Sequence, residues 1–480
     1  MGVKNGGARW VSSAWGRLKW PVLLAGVLLC LSAVVVAGMV PGLLTAPKPS
    51  PSVPAWQQEP DRLADVSGVL PLNADAPLPL PDEVARQLDA TLKPAGGGSI
   101  SGMVMDASTG KVLFDRDANA NRIPASNMKL LTAVAALKAL GPESRFTTRV
   151  LASDDPSTVV LTGGGDVLLG ASASDPSAVL GRAGLASLAS DTAAALAAAG
   201  VKGPITVKVD DSLFTGAPLN PAWSLDDVAA GETAPLFSLA LNSGRYAPEV
   251  LTGPRPQDSA VATAQAFAEQ LAAAGVAVVP GVERGKGLPA KVLAAAESAA
   301  VSEQVDLMLE SSDNFLAEAL GRMSALASGQ KATYDGATAA VRQRLGELGI
   351  ATGSMLLADV SGLALENQVS ARQFVEVVRA ITSGPDLSLR TALDGFPVAG
   401  LTGTLDDRYG DASTAEGAGL VRAKTGTLNT VIALSGYVVD ADGRLLVFSF
   451  IGNDLEPGSA ANKVAMDRSA SVLASCGCRG

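Results

Sequence analysis

The chain carries a short stretch in which a nucleophile and a base stand at helical spacing: Pro124-Ala125-Ser126-Asn127-Met128-Lys129-Leu130-Leu131. Positions i and i+3 share a helix face, so Ser126 and Lys129 can meet without help from distant chain. A serine hydroxyl is a weak nucleophile until a base takes its proton. The commonest partner is histidine, and this sequence has none. That excludes Ser-His-Asp triads and zinc sites built on histidine. Lysine is the remaining nitrogen base, provided that burial or a nearby positive charge lowers its pKa. Ser-x-x-Lys alone proves little, since it is expected about once by chance in a chain of this size, mostly on solvated helix surface.

The surrounding pattern supplies elements to position the pair. Pro124 and the small Ala125 suit a helix start, and the run Leu130 to Leu140 gives that helix an apolar face. Upstream, Asp82 is expected to cap a short helix with Val84, Leu88 and Leu92 on one side, ended by Gly96-Gly97-Gly98. Ser99 to Asp106, a turn at Ser108-Thr109-Gly110, and Lys111 to Asp115 read as a β-hairpin. Residues 146 to 290 mix short strands (Phe146–Leu151, Val159–Leu161, Ile205–Val209) with Ala-rich helices. Two of these helices end alike, with Gly200 and Gly275 where a C-cap wants a left-handed residue. A helix from Val301 to Leu309 stops at Glu310-Ser311-Ser312-Asp313-Asn314, and another runs on to about Leu326. Late in the chain, Leu420–Thr425, Val431–Val439 and Arg444–Gly452 read as strands, the last two joined by a turn at Asp440-Ala441-Asp442-Gly443. A final helix spans about Ala460 to Ala474.

Two further motifs change the weight of the first. Ser312-Asp313-Asn314 falls at the junction between two helices, and Lys424-Thr425-Gly426 on a strand, where lysine offers a point charge and glycine allows close backbone approach. Ser-x-x-Lys, Ser-Asp-Asn and Lys-Thr-Gly occur in that order, each in the context its chemistry needs. The set resembles the penicillin-recognising serine enzymes. Ser126 and Ser312 lie 186 residues apart, far more than a compact β-lactamase needs, which fits a domain inserted between the first and second motifs. Gly163-Gly164-Gly165-Asp166, Asp359-Val360-Ser361-Gly362-Leu363, Gly403-Thr404-Leu405 with Arg408, and Lys424-Thr425-Gly426-Thr427-Leu428 look like the low-molecular-mass class C penicillin-binding proteins. These are the D-alanyl-D-alanine carboxypeptidases/endopeptidases of peptidase family S13. The resemblance covers roughly residues 95–475, with Val167 where the family often has proline.

The resemblance implies an α/β fold: a β-lactamase/transpeptidase-like domain with a mostly antiparallel sheet flanked by helices, plus an inserted α/β domain. The expected boundaries are 82–145 and 292–475 for the penicillin-binding domain, 146–291 for the insert and 476–480 for a tail. It also implies roles. Ser126 would attack the carbonyl between two D-alanines, Lys129 would act as its base, and Ser312 would relay a proton to the leaving amine. Asn314 would bind the substrate amide and position Lys129. Lys424, Thr425 and Thr427 would hold the terminal carboxylate beside Gly426, where substrate backbone can approach closely, with the backbone N–H groups of Ser126 and Thr427 as oxyanion hole. Lys424 would also help depress the Lys129 pKa. Arg408 would either touch substrate or brace the site. The implied substrate is a peptidoglycan peptide ending in D-Ala-D-Ala, and β-lactams are the implied inhibitors; no cofactor or metal is required. A β-lactamase, a penicillin- or muropeptide-binding module without turnover, and an envelope protein with a decayed site are the competing readings.

Composition bounds the rest. With 480 residues the chain is long enough for two or three cored domains, and 48% hydrophobic residues make it globular. A net charge of −10 argues against a nucleic-acid partner. Residues 1–20 carry Lys4, Arg9, Arg17 and Lys19 and no acid, and residues 21–45 read as a membrane anchor or signal. This orientation puts the N-terminus in the cytoplasm and the bulk at the outer face of the cytoplasmic membrane, unless a cleaved leader releases it. The recurrent prolines of 46–81 predict a semi-rigid tether. Cys476 and Cys478 are either bridged or free, and the absence of a Cys-x-x-Cys pair gives a structural zinc site little support.

Overall fold

The computed structural model describes residues 72, 73 and 75–478. The basic segment 1–20, the apolar segment 21–45 and most of the expected tether lie outside these residues. Among the described residues, no helix is long and apolar enough to cross a membrane. In chain order the elements begin with helix α1 (Pro81–Thr91), strands β1 (Ser99–Asp106), β2 (Val112–Arg116) and β3 (Asn121–Arg122), and helix α2 (Met128–Leu140). Strands β4 (Thr147–Ala152) and β5 (Thr158–Thr162), helix α3 (Leu185–Ala198), strand β6 (Thr206–Asp210), helices α4 (Leu225–Ala230) and α5 (Ser259–Ala273), and strands β7 (Glu283–Arg284) and β8 (Val292–Glu297) follow. The chain then forms α6 (Val301–Ser311), α7 (Asn314–Ala327), α8 (Tyr334–Glu347), β9 (Val369–Ser370), α9 (Ala371–Ser383), β10 (Arg422–Leu428), β11 (Val431–Val439), β12 (Leu445–Asn453) and α10 (Lys463–Ser475).

The first sheet has strand order β10-β11-β12-β1-β2 and is antiparallel throughout. Its strands are buried on both faces, and the period of two decides which core each residue joins. Met103, Met105, Val447 and Ile451 pack against α2 and α9. Their alternates Val104, Leu446, Phe448 and Phe450 pack against α1 and α10. Helix α2 is buried at every position from Met128 to Leu137, the pattern of a helix enclosed on all sides.

The insert forms a second five-stranded sheet, order β7-β6-β5-β4-β8, with β5, β6 and β7 parallel and β4 antiparallel to both β5 and β8. Helices α3 and α5 pack on it around Phe267, Leu188 and Val207. Gly200 and Gly275 take φ of +69° and +90° at the ends of these helices. The following N–H groups of Val201 and Val276 return to the carbonyls of Leu196 and Leu271, so the expected glycine caps are present.

Four local expectations are corrected. Helix α1 starts with Pro81 after Leu80, and Asp82 lies inside its first turn, because proline suits the first helical position better than a side-chain cap. The expected domain boundary at 291 cuts the second sheet, since β8 pairs with β4 as far as Glu297. The alanines of β8 carry no strand signal; only the long-range pairing identifies it. The expected tether ends earlier than residue 81: Asn73 N–H donates to Gly443 O, Arg444 donates to Ala76 O, and Leu80 N–H donates to Cys478 O. The described part of the expected tail, residues 476–478, is likewise packed, with Cys476 and Cys478 buried and joined in a disulfide.

Candidate active site

Ser126 sits in a single 3-10 turn, Ala125–Asn127, that leads into α2. The turn is clamped between two glycines. A Cβ on Gly362 would lie 1.9 Å from Ala125 O, and Gly362 also has φ +86°. A Cβ on Gly426 would lie 2.8 Å from Pro124 O. The glycine of Lys-Thr-Gly therefore admits the protein's own nucleophile turn against β10, a reason for glycine that the sequence reading assigned to substrate approach. Asn127 Nδ2 donates to Ser435 Oγ at 2.6 Å, pinning the turn to β11 as well.

One turn along, Lys129 is completely buried. Its Nζ lies 3.0 Å from Ser126 Oγ, 2.6 Å from Asn314 Oδ1 and 2.8 Å from the Ser361 carbonyl. Burial brings its pKa down to about 8, against the pull of acidic neighbours, Asp359 and Asp313 first. The expected help from Lys424 is not what lowers it; loss of solvation is. An amine near this value is neutral often enough at ordinary pH to take a proton from Ser126.

Ser312 ends α6 in a left-handed conformation, φ +58°, which turns its hydroxyl toward β10. Lys424 Nζ donates to Ser312 Oγ at 3.0 Å and to Thr425 O at 2.8 Å. Lys424 is also fully buried, and burial, then the charge of Lys129, pushes its pKa well below the usual lysine value. The three motifs thus converge on one set of contacts from α2, the α6–α7 junction and β10. Thr425 Oγ1 lies 2.7 Å from Thr404 Oγ1, Thr427 is exposed, and β10 is an edge strand of its sheet.

A family model described as D-Ala-D-Ala carboxypeptidase 3 (S13) matches residues 84–260 and 252–475. The chain belongs to this family. It is 36% identical over 450 residues to the carboxypeptidase DacB of Mycolicibacterium smegmatis, covering 93% of this chain and 95% of that one. It is 31% identical over 475 residues to the D-alanyl-D-alanine carboxypeptidase of an Actinomadura species, covering 80% and 84%. Among solved structures, penicillin binding protein 4 from Haemophilus influenzae matches with a TM-score of 0.65 at 22% identity, covering 79% of this chain and 97% of that one. That likeness is one of fold.

The insert of this S13 chain also reaches the site, through Trp223, Glu232 and Arg245, which stand in none of the motifs. Asn314 Nδ2 donates to Glu232 O at 3.0 Å, so the insert holds the amide expected to meet substrate. Asp313 caps α7 through Leu316 N–H and pairs with Arg245 at 2.9 Å, so it faces the insert. Asp359 accepts from Trp223 Nε1 at 2.9 Å and from the N–H groups of Gly362, Leu363 and Ala364, which shapes the turn carrying Ser361 O. A signal for Trp223 existed: it is one of five tryptophans, and the other four precede residue 57. Arg408 is half-buried and its guanidinium pairs with the buried Asp467 carboxylate. Asp166 is buried, accepts from Leu168 N–H and is raised to about 7 by that burial.

Proposed function

We propose that this protein removes the terminal D-alanine from peptidoglycan stem peptides through an acyl-enzyme on Ser126, and that β-lactams acylate the same oxygen. The observation that carries this reading is a fully buried Lys129 amine 3.0 Å from Ser126 Oγ. Neutral Lys129 takes the Ser126 proton as Oγ attacks the penultimate D-alanine carbonyl, forming the C–O bond. Backbone N–H groups of Ser126 and Thr427 stabilise the oxyanion. The C–N bond breaks as a proton passes through Ser312, beside Lys424, to the departing amine. Water then attacks the ester and returns Ser126 to its hydroxyl form. Lys424, Thr425 and Thr427 at the β10 edge receive the terminal carboxylate, whose negative charge favours the ammonium form of buried Lys424.

Membrane placement belongs to the same reading. The basic residues before residue 21 and the apolar run after it support an enzyme held at the outer face of the cytoplasmic membrane, where its substrate lies. Protease accessibility of the catalytic part in intact cells tests this, and protection of that part would contradict it.

The decisive experiment is intact mass of the chain with a penicillin over time, followed by D-alanine release from a muropeptide. A covalent adduct on Ser126 and free D-alanine are expected. Full labelling of Ser126→Ala would overturn the assignment, and fast steady penicillin hydrolysis would make the protein a β-lactamase. Cleavage of a cross-linked dimer tests DD-endopeptidase activity in the same assay.

A further inference from the structure

Lys129 has three oxygen neighbours, and one face of α7 governs two of them. Asn314 meets Lys129 Nζ directly at 2.6 Å. Glu318 stands four residues on, one helical turn along the same face. It is buried, and its Oε1 accepts from the N–H groups of Val360 at 3.0 Å and Ser361 at 2.8 Å. The carbonyl of that same Ser361 is the third neighbour of Lys129, at 2.8 Å. Glu318 Oε2 is buried and has no hydrogen-bond partner among the described residues. An ionised carboxylate oxygen without a donor in such a place is costly, and a protonated one much less so.

We propose that Glu318 is a positioning residue for the Ser126–Lys129 pair: a neutral carboxyl that ties the Ser361 turn to α7 and so keeps the Ser361 carbonyl on Lys129 Nζ. Its neutrality matters because a charged carboxylate here would favour the ammonium form of Lys129 and weaken it as a base. Burial, then the neighbouring Asp359, raises the Glu318 pKa to about 8, in keeping with this assignment. The ionisable groups around the pair are Asp359 on the turn, Asp313 and Arg322 on or beside α7, Tyr334 on α8, Glu232 in the insert and Lys424 on β10.

The inference rests on the acyl-enzyme reading above. The test follows penicillin acylation of the full chain across pH 6 to 10, with thermal unfolding as a check of folding, for wild type, Glu318→Ala, Glu318→Asp and Glu318→Gln. Loss of the clamp in Glu318→Ala, or its shortening in Glu318→Asp, is expected to slow acylation roughly 10- to 100-fold, the range of a misplaced catalytic group. Glu318→Gln, neutral and still an acceptor, is expected to recover most of that rate below pH 8, where Glu318 itself holds its proton. A folded Glu318→Asp that acylates at the wild-type rate would overturn the clamp. A folded Glu318→Gln that acylates more than about threefold faster than wild type at pH 6 to 7 would mean that a negative charge had been removed there, and would overturn the neutral carboxyl. Absence of any adduct on wild-type Ser126 would instead remove the underlying reading and this inference with it.

Discussion

Two five-stranded sheets divide this molecule, and they are assembled on opposite plans. The second sheet is built from one continuous stretch, Thr147 to Glu297, with parallel neighbours linked through the Ala-rich helices α3 and α5. The first joins the two ends of the described chain, pairing Ser99 with Asn453 across β1 and β12. The chemistry sits on the sheet with the long-range plan, because only there can α2, the α6–α7 junction and β10 meet. Yet the segment between β6 and α5 leaves the second sheet and touches the site through Trp223, Glu232 and Arg245. The insert is therefore more than a neighbour: it holds Asn314, which meets Lys129, and Asp359, which shapes the turn carrying Ser361 O.

That comparison can be broken from either side. The largest effect is expected from Lys129→Ala, which leaves both sheets intact and slows acylation roughly 10²- to 10⁴-fold. In the wild type the neutral fraction of Lys129 grows as pH rises through about 8, so the acylation rate should climb over the same interval. A flat rate from pH 6.5 to 9 would mean that another group is the base. Gly362→Ala should come next, because its Cβ meets Ala125 O and its φ is positive. A loss of roughly 2–4 kcal/mol is expected, read from the denaturant midpoint, together with slower acylation. An unchanged midpoint would show that the nucleophile turn can yield.

Arg245→Ala probes the link between the two regions. It leaves Asp313 buried without its ion-pair partner, which is expected to cost roughly 2–4 kcal/mol and to slow acylation although Arg245 lies in the insert. If acylation in the folded variant matched wild type, the insert would be a bystander after all. The smallest effect belongs to Arg284→Ala, an exposed side chain on β7, the far strand of the second sheet, where it pairs with Asp211 and Asp258. Less than about 1 kcal/mol should be lost, with acylation unaltered.

The three motifs were legible because each is local: three or four residues on one turn or one strand, with their side-chain types dictating the chemistry. The hairpin, the late strands and the glycine caps at Gly200 and Gly275 were legible for the same reason, since periodicity and turn residues act over a few positions. Residue 291 looked like a boundary because the alanines of β8 carry little propensity, and strand identity there comes from a partner more than a hundred residues away. Ser361 was within a recognised motif, but its contribution is a backbone carbonyl, which no residue type can announce.

The sequence by itself determined the nucleophile, the absence of a histidine base, the order of the motifs and the family to which they belong. Tertiary structure alone decided which force weakens Lys129 as an acid-bound amine. Desolvation depends on what surrounds a side chain in three dimensions, and Lys129 and Lys424 read as ordinary lysines until both prove fully buried. It also decided why Gly426 and Gly362 must lack side chains: the Ser126 turn is wedged between them, a contact among three segments that lie far apart along the chain.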